Sequence, residues 1–414
     1  MTTLTMQDEK RLDVIQRVYR SELTMVQAAL VMGVSERQCY RVKARVGKAG
    51  AKGVVHGNRG QPSKRKIKDK TVKRILELAR GKYKDFNDHH LTEKLESDEK
   101  IELSREKVRR ILRAHGIASP KKRRGIKHRS RRERRAAEGM MLQVDGSPHD
   151  WLQGRGPRLC LIGAIDDATG KVVGAFFQQA ESSWGYFTLF TSIFRQHGLP
   201  QSIYCDRHSV FWTDREPTMD EQLVNKRPTT EVGRGLEQLG VTLILAGSPQ
   251  AKGRIERLWG TFQDRLVSEL RLAGAKTPPQ AQAVLDRYLP VHNRRFSKPA
   301  RNAEPAWRKV SALQIQQALC FKERRTVAKD NTVTFDATVF QIPKLSPFRS
   351  HANKRIDVHV LLDGGVEFFY QKEKIATFDS KTTHALGLYR TQTKREGFRY
   401  GPISLLNAQQ KLSP

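Results

Sequence analysis

The chain has 414 residues, with 76 Lys and Arg against 43 Asp and Glu and a net charge of +33, which excludes an ordinary acidic single-domain enzyme and implies two to four domains. Apolar residues make up 38%, enough for real cores. No stretch approaches the roughly 18 to 20 uninterrupted apolar residues of a membrane span, and the opening MTTLTMQDEK lacks the basic and apolar succession of a secretory signal. A cytoplasmic, nucleoid-associated protein with no membrane partner is therefore expected. Its four cysteines (Cys39, Cys160, Cys205, Cys320) form no C-x-x-C pair and are expected as reduced, mostly buried thiols.

In chain order, Leu12, Ile15, Val18 and Tyr19 form the apolar stripe of a helix over 11–19. A short helix over 24–31 follows. Gly33 suits a tight turn, and Ser35 can cap a third helix over 36–45. This is helix-turn-helix spacing, with small Ala29 allowing close approach and Cys39 and Val42 facing inward. Arg37, Gln38, Arg41, Lys43 and Arg45 are left to meet phosphates and base edges. The region 1–47 is thus expected to bind DNA. A second unit, 67–118, shows helices over 70–80, near 90–95, and from Ser104 to His115, the last lined by Arg105, Lys107, Arg109, Arg110 and Arg113. It has the pattern of a second helix-turn-helix DNA-binding domain, with or without a wing. Adjacent His89 and His90 have no third ligand at a sensible spacing, so a surface place at a helix start is expected.

Residues 1–135 carry 22 of the 33 net positive charges. The sharpest run is KKRRGIKHRSRRERR at 121–135, where Lys121, Lys122, Arg123 and Arg124 begin ten basic residues against one acid. Such a run cannot pack a core, so 119–137 is expected as a solvated, DNA-tracking linker.

From Met140 the pattern becomes α/β. Residues 141–145 form an expected buried strand ending in Asp145. Strands over 159–165 and 171–177 follow, joined by the turn DDATG, and the three should form an antiparallel meander. An apolar-faced helix with Trp184, Phe187, Phe190 and Phe194 runs to His197-Gly198. Another strand, 202–206, ends in Asp206. A helix over 231–239 and a strand over 241–246 precede a long helix from about 250 to 272, which carries Glu256. Ile255, Leu258, Trp259, Phe262, Leu266 and Leu270 are its apolar stripe. Lys252, Arg254, Arg257 and Arg265 should make its exposed side basic, as DNA lying across a site requires. Acids converging on one sheet edge repel each other unless a cation joins them, and hard oxygen ligands select Mg2+ or Mn2+. Two such ions about 3.5 to 4 Å apart suit phosphodiester chemistry.

Asp145 in LQVDGS, Asp206 in IYCDRHSVF, and Glu256 in GSPQAKGRIERLWGTFQDRL together resemble the RNase H-like core of DDE transposases and retroviral-type integrases. The front modules and the ERLWGTFQDRL helix look most like bacterial insertion-sequence transposases of the ISNCY type. The resemblance spans about residues 10–310. It implies a mixed five-stranded sheet with helices over 138–310, and Asp145, Asp206 and Glu256 as catalytic ligands of two Mg2+ or Mn2+ ions. By the same resemblance, Arg207 and Lys252 touch the DNA backbone near the scissile phosphate. The 49 residues between Asp206 and Glu256 exceed the spacing in many relatives, so an insertion is expected over 211–230. Its acids Asp214, Glu216, Asp220 and Glu221 are set aside as loop residues, Asp166 and Asp167 as turn residues, and Glu181 as a helix-start acid.

Beyond Pro305 and Trp307 the sequence is strand-like, with short runs at 326–328, 332–335, 338–342, 355–361, 366–370 and 374–378. They suggest a small β-barrel over 322–380, resembling the one that follows the core in phage Mu transposase and its relatives, and then a basic tail over 381–414. The combined expectation is a transposase that binds terminal inverted repeats of double-stranded DNA, cuts 3′ ends and joins them to target DNA, working as a homodimer or larger synaptic assembly. The rivals are an RNase H-like nuclease without strand transfer, and a non-catalytic DNA-binding regulator derived from a transposase.

Overall fold

The computed structural model describes residues 4–60, 66–120, 132–223, 225, 227–247, 253–336, 338–344 and 350–379. Lys121, Lys122, Arg123 and Arg124 of the basic run, Lys252, and the tail over 381–414 lie outside the described residues. The chain divides at Leu76/Glu77 into two compact units.

The first unit holds α1 (Met6–Tyr19), α2 (Met25–Met32) and α3 (Glu36–Ala49). Local chemistry sets each start. Thr5 and Thr24 form capping boxes with Asp8 and Gln27, and the Ser35 hydroxyl accepts from the Gln38 amide. The Thr5–Asp8 box begins α1 at Met6, five residues before the helix expected over 11–19. Gly33 adopts φ +64 at the end of α2, a left-handed stop that glycine takes without strain. Val14, Ile15, Val18, Ala28, Ala29, Cys39, Val42 and Val46 form the core. Tyr19, expected on the buried stripe, is instead exposed, and its hydroxyl donates to the Lys43 carbonyl at 2.9 Å.

Helix α4 (Asp69–Arg80) spans that division, and in the second unit α5 (Asp88–Ser97) and α6 (Arg105–Ala114) precede a five-stranded sheet. Its strands are β1 (Leu142–His149), β2 (Leu159–Asp166), β3 (Val172–Gln178), β4 (Ser202–Cys205) and β5 (Thr242–Leu245), in the order β3-β2-β1-β4-β5. The first three are an antiparallel meander, while β4 and β5 run parallel to β1. β2 is buried along its whole length, as a strand covered on both faces must be. One face packs on α7 (Ser183–His197), α9 (Glu231–Gln238) and α12 (Ala312–Ala318). The other packs on α10 (Gly253–Leu272) and α11 (Pro278–Phe296) through Trp259, Phe262, Leu266 and Leu285. This mixed sheet with helices fits the RNase H-like core. The stretch 211–230 holds the short α8 (Met219–Leu223). Its first residue, Phe211, is core rather than loop: it is 3% exposed and edge-on to Tyr186.

The expected C-terminal barrel is corrected. Strands β6 (Phe321–Thr326), β9 (Arg355–Val360), β10 (Val366–Tyr370) and β11 (Glu373–Phe378) form an antiparallel sheet ordered β11-β10-β9-β6, and β7 (Thr332–Phe335) pairs with β8 (Thr338–Gln341). Among the described residues no pairing closes β11 on β6. The apolar faces are buried elsewhere: Val333, Phe335, Phe340, Val358 and Phe368 join the cluster that contains Leu142, Phe187 and Ile203. A sheet that buries its face on a neighbouring core has no need to curl on itself. All four cysteines are buried thiols, and no described helix is long and apolar enough to cross a membrane.

Candidate functional site

β1 and β4 pair in parallel, Leu142 beside Ile203 and Gln143 beside Tyr204. Carried two residues further, that register sets Asp145 beside Asp206. Asp206 is the first residue beyond β4, as expected. Asp145 is not at a strand end, because β1 continues to His149 against β2; only the β4 side of the strand is released there. Both acids are half-buried. Asp145 Oδ2 accepts the indole N–H of Trp259 at 3.0 Å. Asp206 Oδ1 accepts the backbone N–H of His208 at 3.1 Å, a local turn that leads the chain away from the sheet.

Glu181, set aside in the sequence, belongs to the same neighbourhood. A Cβ on Gly146, the residue after Asp145, would stand 2.5 Å from Glu181 Oε2. His208 Nδ1, two residues beyond Asp206, lies 3.9 Å from Glu181 Oε1, and the Tyr186 hydroxyl donates to the same carboxylate. Burial pushes the Glu181 carboxyl above its usual range, and the charges of Asp145 and Asp206 add to the rise, while Tyr186 and His208 oppose it. The signal for Glu181 was spatial. Only the packing of α7 on β2 and β3 brings Glu181, two residues before its start, to the acids.

Glu256 lies in the first turn of α10 with an exposed side chain. That turn is fixed to β1 by the Ile255 amide, which donates to Gln143 Oε1 at 3.4 Å, and one turn later by Trp259 on Asp145. Residues three apart are neighbours on a helix surface, so Glu256 stands beside the side chain that grips Asp145. Among the described residues no three His, Cys, Asp or Glu side chains stand close enough to hold a metal ion.

The expected cations divide into two sets. Arg37, Arg41, Arg105, Lys107, Arg109, Arg110 and Arg207 are exposed, and Gln38, Lys43 and Arg45 are half-exposed. Arg109 and Arg110 share Glu106, Arg105 meets His89 at 2.5 Å, and Arg207 lies 5.6 Å over the ring of exposed Trp212. Arg254 and Arg265, expected on the exposed side of α10, are instead largely buried. Arg254 pairs with buried Asp167 of the β2–β3 turn at 2.6 Å and is 13% exposed. Arg265, 9% exposed, pairs with Glu93 of α5 at 2.6 Å. Arg113 is half-exposed and held by Asp88 and the Ile117 carbonyl. A desolvated guanidinium requires such a partner. His90 is likewise corrected from surface to interior: it is 3% exposed and meets Glu269 at 2.6 Å.

No family model matches the chain. A transposase-family protein of Sinorhizobium fredii, y4bF, is 31% identical over 391 residues, covering 93% of this chain and 84% of the relative. The transposase for insertion sequence IS1202 of Streptococcus pneumoniae is 30% identical over 330 residues, covering 72% and 70%. Among solved structures, the catalytic core domain of HTLV-2 integrase in its dimeric form with magnesium matches at 15% identity and TM-score 0.29, over 44% of this chain and 99% of that one. The simian T-cell lymphotropic virus intasome matches at 13% and 0.29, over 73% and 99%. At those scores the fold rests on strand order and register alone. The two relatives, each matched over most of its length, define a transposase. The chain belongs to the insertion-sequence transposases.

Proposed function

We propose that this transposase binds the terminal inverted repeats of its element as duplex DNA, cuts the 3′ ends, and transfers them to target DNA, with Asp145, Asp206 and Glu256 as the catalytic carboxylates. The observation that supports the reading is the parallel register of β1 and β4, which pairs Gln143 with Tyr204 and, carried two residues further, brings Asp145 level with Asp206 just beyond β4. Two carboxylates so placed repel unless a cation joins them, and an all-oxygen donor set fits Mg2+ or Mn2+. Such ions, two per site in this reading, supply Lewis acidity to the attacking and leaving oxygens of a phosphodiester.

The chain's own groups prepare that chemistry. Trp259 fixes one oxygen of Asp145. The His208 amide orients Asp206. Exposed Arg207, against Trp212, offers a cation to the phosphate backbone next to Asp206. In the first unit, α2, Gly33 and α3 serve as a helix-turn-helix, with Arg37, Gln38, Arg41, Lys43 and Arg45 directed at the duplex. Two ends must be held together, so a dimer or larger assembly acts.

The test uses the full chain, Mg2+, and labelled duplexes carrying the inverted repeats that border its own gene. The expected result is a nicked 3′ end followed by joined product. Asp145→Asn, Asp206→Asn and Glu256→Gln should each lower the cleavage rate about a thousandfold or more while still binding the duplex. Full activity in Asp206→Asn would overturn the carboxylate assignment, and nicking without joined product would favour a nuclease.

A further inference from the structure

Asp167 sits in the turn between β2 and β3, where an acid is ordinary turn chemistry, yet its side chain is wholly buried. It does not cap its own turn; neighbouring Asp166 does that, by accepting from the Thr169 amide and hydroxyl. The Asp167 carboxylate is occupied by three distant segments. Arg254, at the start of α10, donates to Oδ1 at 2.6 Å, and the Gln143 amide of β1 donates to the same oxygen at 2.7 Å. Arg132 also ion-pairs with Oδ1, and the Arg135 backbone N–H donates to Oδ2 at 2.9 Å. Arg254 in turn donates to the Arg132 carbonyl at 2.8 Å, and Gln143 accepts from the Ile255 amide.

These bonds connect the two ends of the candidate site. Gln143 lies two residues before Asp145 on β1, and Arg254 lies two residues before Glu256 on α10. The described end of the basic run, residues 132–135, stays exposed as its composition suggests, yet it is tied to the same carboxylate. We propose that Asp167 is a positioning residue: it pins the first turn of α10 and the end of the basic linker to β1, and so fixes Glu256 relative to Asp145. This rests on the transposase reading for its catalytic consequence, though not for its structural one. A fully desolvated carboxylate with two guanidinium partners is costly to neutralise on one side only. Asparagine at position 167 keeps the shape but leaves Arg254 uncompensated and presents an N–H to groups that donate.

Trp259 supplies a readout independent of catalysis, because its indole bridges α10 to Asp145. The full chain is labelled with 5-fluorotryptophan, and the Trp259 resonance is assigned with Trp259→Phe. In Asp167→Asn and Arg254→Gln, the Trp259 signal should shift or broaden while those of Trp151, Trp184, Trp212 and Trp307 hold. In single-turnover cleavage of the end duplex, Asp167→Asn should lower the rate at least ~10-fold, and up to ~100-fold, as loss of positioning does, with duplex Kd changed less than about threefold. An unmoved Trp259 signal in both variants overturns the proposal. So does an undiminished cleavage rate, or a loss confined to duplex affinity, which would mark a DNA-holding role instead. Should Asp167→Asn fail to fold, Arg254→Gln decides alone. If the wild-type chain cleaves nothing, the transposase reading fails while the fluorine spectra still decide the pinning.

Discussion

Two glycines flank Asp145 and show how little room its setting allows. Gly163, its antiparallel partner on β2, has no space for a methyl group: a Cβ there would lie 2.8 Å from Trp259 Cη2. Gly146 meets Glu181 in the same way. Glycine inside a strand marks the close approach of another group, and here the groups are the indole that holds Asp145 and the carboxylate that faces it. Gly163→Ala should therefore tilt Trp259 off Asp145 Oδ2. The expected outcome is a stability loss of about 1 to 3 kcal/mol from overpacking, read by urea denaturation, and end-DNA cleavage reduced ~10- to 100-fold, read in single turnover. A variant as active as wild type would show that the indole bond is dispensable. Asp145 and Asp206 were legible in the sequence because each follows a short apolar run. Glu181, Asp167 and the glycines were not, because their meaning comes from partners 24 to 96 residues away, and local turn or helix-start chemistry already accounted for them.

Helix α5 shows the same contrast among elements. Its ends were legible to within a few residues, since the Asn87 side chain caps the His90 amide and an apolar pattern follows. Its destination was not. Asn87 donates to Asp264 at 2.7 Å, Lys94 pairs with Glu269 at 3.0 Å, and Glu93 takes both Arg265 and Arg295, so α5 is bonded to α10 and α11. A charged helix face looks the same in sequence whether it meets water or matching charges. Glu93→Gln, which leaves buried Arg265 uncompensated, should cost about 3 to 5 kcal/mol in chemical denaturation. The C-terminal strands misled for a related reason: their alternation was visible, but whether a sheet closes or packs on a neighbour is decided by the neighbour. On α11, His292 lies edge-on to Phe262 and tilted against Tyr288 and Phe296. Burial, helped by Arg265, pulls its pKa down to about 4. The folded value lies below the unfolded value of about 6.5, so the unfolded chain takes up the proton first. The stabilisation is complete above about pH 6.5 and is lost as pH falls toward 4, on the order of 3 kcal/mol in all. Melting curves of the wild type should fall across that window more steeply than those of His292→Phe; parallel curves would place the acid sensitivity elsewhere.

Across the whole molecule, a charge of +33 says that a polyanion is met but not where. Arg113, Arg254 and Arg265 are spent on interior carboxylates, and a cation already paired inside the protein releases no counterion when a duplex binds. Exposed Arg37 and Arg41 on α3 are in the opposite situation. The two sets should therefore separate under salt. For the full chain, the logarithm of the duplex association constant should fall linearly with the logarithm of salt concentration. Removing one phosphate-contacting cation should flatten that slope by about 0.9. Arg37→Ala and Arg41→Ala are each expected to weaken binding and flatten the slope. Arg113→Ala should leave the slope unchanged and lower the denaturation midpoint instead, since it strips Asp88 and the Ile117 carbonyl of their donor. Titrations of an end-DNA duplex between about 50 and 200 mM salt, run beside urea melts of the same three variants, make the comparison. An Arg113→Ala slope as flat as that of Arg41→Ala would mean that the α6 pairing opens on DNA, and the division between structural and DNA-facing cations would then fall.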